Sequence, residues 1–568
     1  MGKTGITNRF VCLFFVAVFC LLWAVAPASA AEIGSRSEGQ TLNKILRYIS
    51  DGWETLTRSM SKCETVRDSN EAEEALLYLP RELPLPAAVQ ELEQNCPVRV
   101  ERLPALIEKP AGIDIRKIRP HGLLYLENSY VVPGGMFNEM YGWDSYFILR
   151  GLLRDGRFEL ARGMVENFFF EIEHYGMILN ANRAHFLTRS QPPFLTSMIL
   201  AVHEAEKERG QQDLTWLANA YRYALKDYQM WTREPHLAGT TGLSRYYGLG
   251  EGVNPELSDR AREYFSYVVR YFLRHKRAGD AYLARASNRS SENLLGPALS
   301  LYLCNSAAKP DEPDDCELVE NVSLTADYYK GDRSMRESGF DISFRFGPFS
   351  AATHHYAPVC LNSLLYKAAK DLEEISLLLG REEDARQWHQ RARTRMQQIQ
   401  TYLWDEQRGL FFDYDFKTQT RSSYEFATTF YPLWVGLASP EQAQAIVRNL
   451  PLFEQPGGLA MSTQETKTQW DYPYGWAPVH LIAIEGLRRY SYEGEANRLS
   501  YKFLSMILEN FRRDGTLREK YNVVTRSSET QIEAGYKENV IGFGWTNGVF
   551  LELLDALPEE RAIRLAEE

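Results

Sequence analysis

Residues 361–403 read LNSLLYKAAKDLEEISLLLGREEDARQWHQRARTRMQQIQTYL. Leu361, Leu364, Leu365, Ala368, Leu372 and Ile375 fall at i, i+3, i+4, i+7, i+11 and i+14, the period of one helix face, and Gly380 then supplies a stop. Ala385, Trp388, Ala392, Met396, Ile399 and Leu403 align on one face of a second helix. Two helices joined this tightly form a helical hairpin, and apolar stripes of this width must be buried against further helices. Similar stripes recur in 215–232, 257–274, 440–449, 476–489 and 496–511, whereas strand-like alternation is short and scattered. The fold class is therefore mainly α.

Working outward, the 568-residue chain shows no long Gly/Ser/Pro linker, no low-complexity tract and no clean internal repeat, which favours one large domain behind an N-terminal extension. Its first residues include Lys3 and Arg9, an apolar run from about Phe10 to Val25, and Ala28-Ser29-Ala30, a small-x-small pattern. Residues 1–30 are accordingly expected to be a signal peptide, and the protein to be exported to a periplasm or outside the cell, free of the membrane after cleavage.

Cys12 and Cys20 would leave with that segment, so Cys63, Cys96, Cys304, Cys316 and Cys360 remain, and an odd number leaves at least one free. Cys304 and Cys316 flank a polar loop that a disulfide would close. None of the five has CxxC spacing, which argues against a zinc ribbon or a thioredoxin-like role. Removing Lys3 and Arg9 takes the formal net charge from −11 to −13, with no basic cluster, so nucleic acid is not expected as a partner. Aromatic residues make up 12% of the chain, including 32 tyrosines and 11 tryptophans, and flat rings of this kind cover the C–H faces of sugars as well as filling cores.

Between the helical stripes lie loops rich in aromatics, glycines and carboxylates: 133–146, 337–349, 469–478 and 533–547. The first reads PGGMFNEMYGWDSY over 133–146; its glycines permit a sharp turn, Phe137 and Trp143 can face a sugar, and Asp144 can accept from adjacent hydroxyls. The third, QWDYPYGWAP over 469–478, repeats that chemistry. Either stretch alone is equally compatible with an aromatic-capped helix entry.

Together the two segments closely resemble the signatures of the trehalase family, PGGRFxExYxWDxY and QWDxPxGWxP. The resemblance extends in order from about residue 120 to 552 through RSQPPF at 189–194, ESGFD at 337–341, EKY at 519–521 and GFGWTNG at 542–548. It implies an (α/α)6 toroid over 120–560, a glycoside hydrolase domain that cleaves α,α-trehalose into two glucose molecules with inversion, without a cofactor or a metal. Residues 31–119 carry no such motif and are read as the N-terminal extension. The catalytic roles implied are Asp341 as general acid and Glu519 as general base. An inverting pair stands about 6.5–9.5 Å apart to admit water. Asp341 must then hold its proton through burial or a neighbouring carboxylate such as Glu337, and Glu519 must stay ionised, helped by Lys520 if that side chain points inward. Phe137, Trp143, Asp144, Asn180, Arg189, Ser190, Gln191, Glu256 and Gly339 resemble the family's substrate contacts. The implied partner is a small disaccharide, and a monomer is expected.

The chain departs from the family pattern at several points. Met136 stands where the signature has arginine, Asn254-Pro255-Glu256 where Arg-Pro-Glu is common, and Phe340 where tryptophan precedes the acid. The glycine-rich stretch before GFGWTNG reads EAGYKE over 533–538, leaving Glu533 and Glu538 as candidates for its carboxylate. Arg183, Arg245 and Arg345 are candidates to replace the missing guanidinium groups. The alternatives are an α-glucosidase of other specificity on the same toroid, or a sugar-binding homologue without turnover. His354 and His355 lack HExxH or His-x-His spacing and, on a helix, would point about 100° apart, so no metal site is expected there. Gly248–Gly252 lacks the setting of a dinucleotide fingerprint, and neither a P-loop lysine nor a GxSxG elbow occurs.

Overall fold

The computed structural model describes residues 40–67, 75–118, 122–257, 261–285, 296–304 and 316–567. The helices that form and brace the ring include α1 (Gln40–Leu56), α2 (Asp144–Arg154), α3 (Phe158–His174), α4 (Leu195–Glu208), α5 (Leu214–Trp231) and α6 (Ala326–Glu337). Next come α7 (Val359–Leu378), α8 (Glu382–Tyr402), α9 (Tyr431–Trp434) and α10 (Pro440–Asn449). The series ends with α11 (Ala477–Arg489), α12 (Glu493–Asp514), α13 (Gly544–Asp555) and α14 (Glu559–Glu567).

The hairpin that sets the fold is α7 and α8. Leu361, Leu364, Leu365, Ala368, Leu372 and Ile375 are buried, as are Ala385, Trp388, Ala392, Ile399 and Leu403, with Met396 packed at their edge. Each large side chain so covered contributes about 1.5–3 kcal/mol. Gly380 adopts φ +69°, a conformation that ends the helix without a Cβ penalty.

The ring follows from which helices touch. α2 packs on α4, α4 on α7, α7 on α9, α9 on α11, α11 on α13, and α13 returns to α2. These inner helices are buried nearly all round, as in the run Ala477–Ile484 of α11, whereas the outer α8 buries only Ala385, Trp388, Ala392, Arg395 and Ile399 among its charged residues. Closure rests on glycines: a Cβ on Gly151 of α2 would lie 2.5 Å from the Cα of Gly548 in α13. This is an (α/α)6 toroid, as the resemblance implied.

Residues 40–118 are tied to the ring. α1 packs against α12, α13 and α14, and Thr57–Arg58 pairs antiparallel with Tyr130–Val131. Strand Ala75–Leu79 lies parallel between Val98–Arg102 and Leu123–Leu124. A disulfide joins Cys63 to Cys96. Cys316 is also disulfide-bonded and faces Cys304 in the register of the hairpin Leu299–Cys304 and Cys316–Leu324, while Cys360 is free and buried.

Candidate active site

The motif loops enter the starts of the inner helices, so they gather at one end of the toroid. Trp143 precedes α2, Arg189–Gln191 precede α4, Gln469–Asp471 precede α11, and Trp545 lies in the first turn of α13. Their rings bind the loops together: the Trp143 ring lies 5.4 Å from Phe340, 5.9 Å from Trp470 and 5.8 Å from Trp545, and Trp470 stacks on Trp476 at 3.8 Å. Gly339, with φ +75°, lets the chain pass Trp143, since a Cβ there would meet its ring at 3.0 Å.

Asp341 follows α6 with its side chain only 21% exposed. Burial pushes its carboxyl up to about 7, Arg336 pulls it down and Glu256 adds to the rise. Arg336 Nη1 lies 3.7 Å from Asp341 Oδ2, while its Nε pairs with Asp332 at 3.2 Å. Glu337 instead accepts from Tyr247 N at 2.6 Å and faces His236, and the carboxylate whose charge raises Asp341 is Glu256. The loop after Asp341 is fixed by buried Asp471, which accepts from Phe344 N at 2.8 Å, Thr466 Oγ1 at 2.7 Å and Thr468 Oγ1 at 2.9 Å.

Glu519 meets the opposite environment. Lys520 does point inward, fully buried, and Nζ donates to Glu519 Oε2 at 2.7 Å and to Gln469 Oε1 at 3.2 Å. Trp545 Nε1 donates to Glu519 O at 3.1 Å. Gln469 in turn donates through Nε2 to Asp341 O, so one amide connects the segments carrying both carboxylates. Asp144 lies close enough to feel both: burial raises its carboxyl well above the usual range, a backbone hydrogen bond opposes this, and the charges of Glu519 and Asp341 add to it.

The polar side of the site is built around Glu256. Arg189 Nη2 donates to Glu256 Oε2 at 2.7 Å and to Asn180 Oδ1 at 3.2 Å; Asn254 Nδ2 reaches Glu256 Oε2 at 3.1 Å and Tyr536 OH reaches Oε1 at 2.6 Å. Burial raises the Glu256 carboxyl, but Arg189 and Arg336 outweigh it, so the group ends below the ordinary range. Arg189 Nε and Nη1 are buried with no hydrogen-bond partner among the described residues. Phe137 is half-buried, edge-on to Tyr141 at 5.5 Å, and the Arg189 guanidinium covers Phe186 at 4.6 Å. Ser190 and Gln191 are spent on the loop itself: Ser190 Oγ donates to Ile178 O at 2.6 Å, and Gln191 Oε1 accepts from Trp143 N at 2.9 Å.

The departures also find places. Met136 is 52% exposed. Phe340 is buried edge-on among Trp143, Trp470 and Phe426. None of the three arginines considered as replacements is available: Arg183 pairs with Glu139, Arg245 donates to Pro235 O at 2.8 Å and His354 O at 2.9 Å, and Arg345 grips Asp413 at 2.6 and 2.7 Å. The guanidinium beside Asp341 is Arg336, one residue before the ESGFD segment. Glu533 is exposed and pairs with Lys467 at 2.6 Å, and Glu538 is exposed; the residue of that stretch that enters the site is Tyr536, a position that spacing alone did not single out.

Residues 26–558 match the family model described as Trehalase. The cytosolic neutral trehalase of Emericella nidulans is 39% identical over 469 residues, 75% of this chain and 58% of that protein. The cytosolic neutral trehalase of Saccharomyces cerevisiae is also 39% identical, over 74% of this chain and 56% of that protein. The chain thus spans less than two thirds of the length of these relatives. Among solved structures, neutral trehalase Nth1 from Saccharomyces cerevisiae is 34% identical with a TM-score of 0.74, covering 92% of this chain and 96% of that one. The names overturn the expectation of a signal peptide and of a secreted or periplasmic protein, because these relatives are cytosolic. That expectation rested on the composition of residues 1–30 alone, and they lie outside the described residues.

Proposed function

The chain belongs to the trehalase family, and on that premise we propose that it hydrolyses α,α-trehalose to two glucose molecules by an inverting acid–base reaction. The observation that carries the reading is the opposed setting of two carboxyls joined through Gln469. Asp341 is raised to about 7 by burial and so holds a proton near neutrality, while Glu519 is paired with a buried ammonium. Trehalose joins two anomeric carbons, so one glucose leaves only when the bridging oxygen is protonated as water attacks the opposite face of the ring. Asp341 donates that proton, and Glu519 takes one from the water. Both partners are products of one step, and neither residue forms a covalent bond to sugar.

Recognition falls to the Glu256 cluster. A site of directional donors and acceptors rejects analogues that lack the matching hydroxyl, because buried polar groups are then left unpaired. Arg189 already has two such groups unpartnered, and substrate hydroxyls satisfy them. Phe137 and Trp143 supply the apolar wall, and Asp144 accepts or shares a proton with hydroxyls between the two catalytic carboxyls.

The test is glucose release from trehalose by the purified protein, with NMR to identify the anomers before they equilibrate. Equal amounts of β- and α-glucose, lost in Asp341→Ala and Glu519→Ala, are expected. Two α-glucose molecules, or unchanged turnover in either variant, overturn the mechanism. Cleavage of another α-glucoside in place of trehalose overturns the substrate.

A further inference from the structure

His354 and His355 end a short turn, Thr353–His355, that leads towards α7, and Asp327 lies at the second residue of α6, behind its cap Thr325. Adjacent histidines diverge on an α-helix, but this turn is tighter: their ring centroids are 3.9 Å apart and tilted by 45°. Both Nε2 atoms aim at one carboxylate oxygen, His354 at 3.0 Å and His355 at 3.4 Å from Asp327 Oδ1. A ligand atom from each of the three lies within 4.8 Å of the other two. We propose that Asp327, His354 and His355 form a binding site for a divalent transition ion of the zinc class, apart from the catalytic site, with solvent completing the coordination.

Two imidazoles and one carboxylate are the donor set that suits Zn²⁺ and Co²⁺, and three protein ligands leave a position open to water. A histidine binds metal as the neutral base, and an ion between these groups would replace the hydrogen that each Nε2 directs at Asp327 Oδ1, so binding releases protons. Asp327 is 42% exposed, which gives an ion a route in, whereas His354 is 6% exposed and held in place. The backbone behind the ligands is fixed from two sides: Arg245 Nη1 donates to His354 O at 2.9 Å, and Phe416 N donates to His355 O at 3.1 Å. One group competes. The exposed Lys417 places Nζ 3.4 Å from His355 Nε2, so metal entry must displace that ammonium.

The ion would tie the start of α6, whose far end leads into Arg336 and Asp341, to the turn before α7. It takes no part in glycoside cleavage.

The experiment uses the untagged full chain, stripped with chelator and titrated with Zn²⁺ by calorimetry and with Co²⁺ by absorbance. One equivalent of Zn²⁺ is expected, with affinity reduced more than about 100-fold in H354A/H355A. K417A keeps all three ligands and removes the competing charge, so it should bind about fivefold more tightly. Its expected retention of trehalose turnover separates metal binding from a folding defect. Wild type and H354A/H355A titrating alike overturn the site, as does Co²⁺ that gives no ligand-field bands in either the wild type or K417A.

Discussion

Lys520, wholly shielded from solvent, donates to Glu519 Oε2 at 2.7 Å, and no other cation stands as close to that carboxylate among the described residues. A buried ammonium is costly unless paired, so Glu519 and Gln469 hold Lys520 as much as Lys520 holds Glu519. Among the described residues Asp341 has no such cation at hydrogen-bonding distance: the Arg336 guanidinium is 3.7 Å away and already committed to Asp332. Asp341 and Glu519, both carboxyls, are thus distinguished by what stands beside them.

Removing the base or its partner should have different signatures. Glu519→Gln keeps the size and a hydrogen-bonding end but cannot take a proton, so kcat should fall about 10²- to 10⁴-fold with little change in KM. Lys520→Met leaves Glu519 in a buried site without its cation, and should lower stability by about 3–5 kcal/mol as well as activity. Steady-state kinetics and thermal melts separate the two. A Lys520→Met protein that melts with the wild type would mean the ammonium does not stabilise the loop.

The pH profile should report Asp341. The acid works only when protonated, so kcat/KM should decline as pH rises through about 7, the value to which burial pushes that carboxyl. Glu256 contributes a like charge that raises it further. Glu256→Gln removes that charge, so the alkaline limb should move to lower pH, on top of a higher KM from the lost Arg189 contact. A limb that stays in place, or moves upward, contradicts the coupling of these two residues.

The same raised group bears on stability. Asp341 binds its proton more tightly folded than unfolded, so its contribution falls as pH rises from about 3.8 towards 7 and is constant above that window. Asparagine has no proton to lose. Asp341→Asn should therefore melt close to the wild type near pH 4 and above it at pH 8, by at most about 4 kcal/mol, while losing turnover. Melts at the two pH values decide it; equal shifts at both would show that burial of the charge is not the cause.

How much of this was legible in the sequence differs by level. The α7–α8 stripe was readable because burial on one face forces a 3.6-residue period, and those stripe residues are covered. Ring closure was not readable from periodicity: it depends on a glycine-to-glycine approach between Gly151 and Gly548, 397 positions apart in the chain, and entered only through the family resemblance. In the site, Asp341, Glu519, Arg189 and Glu256 lie in recognisable motifs. Arg336 and Tyr536 do not, because their roles come from three-dimensional proximity to Asp341 and Glu256. Glu337 misled for the same reason, since adjacency along a helix turned its carboxylate away from Asp341 towards His236 and Tyr247.

Met136 stands where the family signature has arginine and yet is 52% exposed beside half-buried Phe137. An exposed side chain contributes little to packing, so Met136→Arg should change stability by no more than about 0.5 kcal/mol. If the position faces substrate, the added guanidinium supplies charge-assisted donors worth about 1.5–3 kcal/mol each when a hydroxyl or carboxylate accepts them. The expected result is a KM for trehalose lower by about tenfold, with kcat and the alkaline limb unchanged, since Asp341 already has Arg336 beside it. A KM that does not move would mean that the arginine of the signature has no substrate to meet in this chain, and that Arg189 and Arg336 alone provide the cationic side of the pocket.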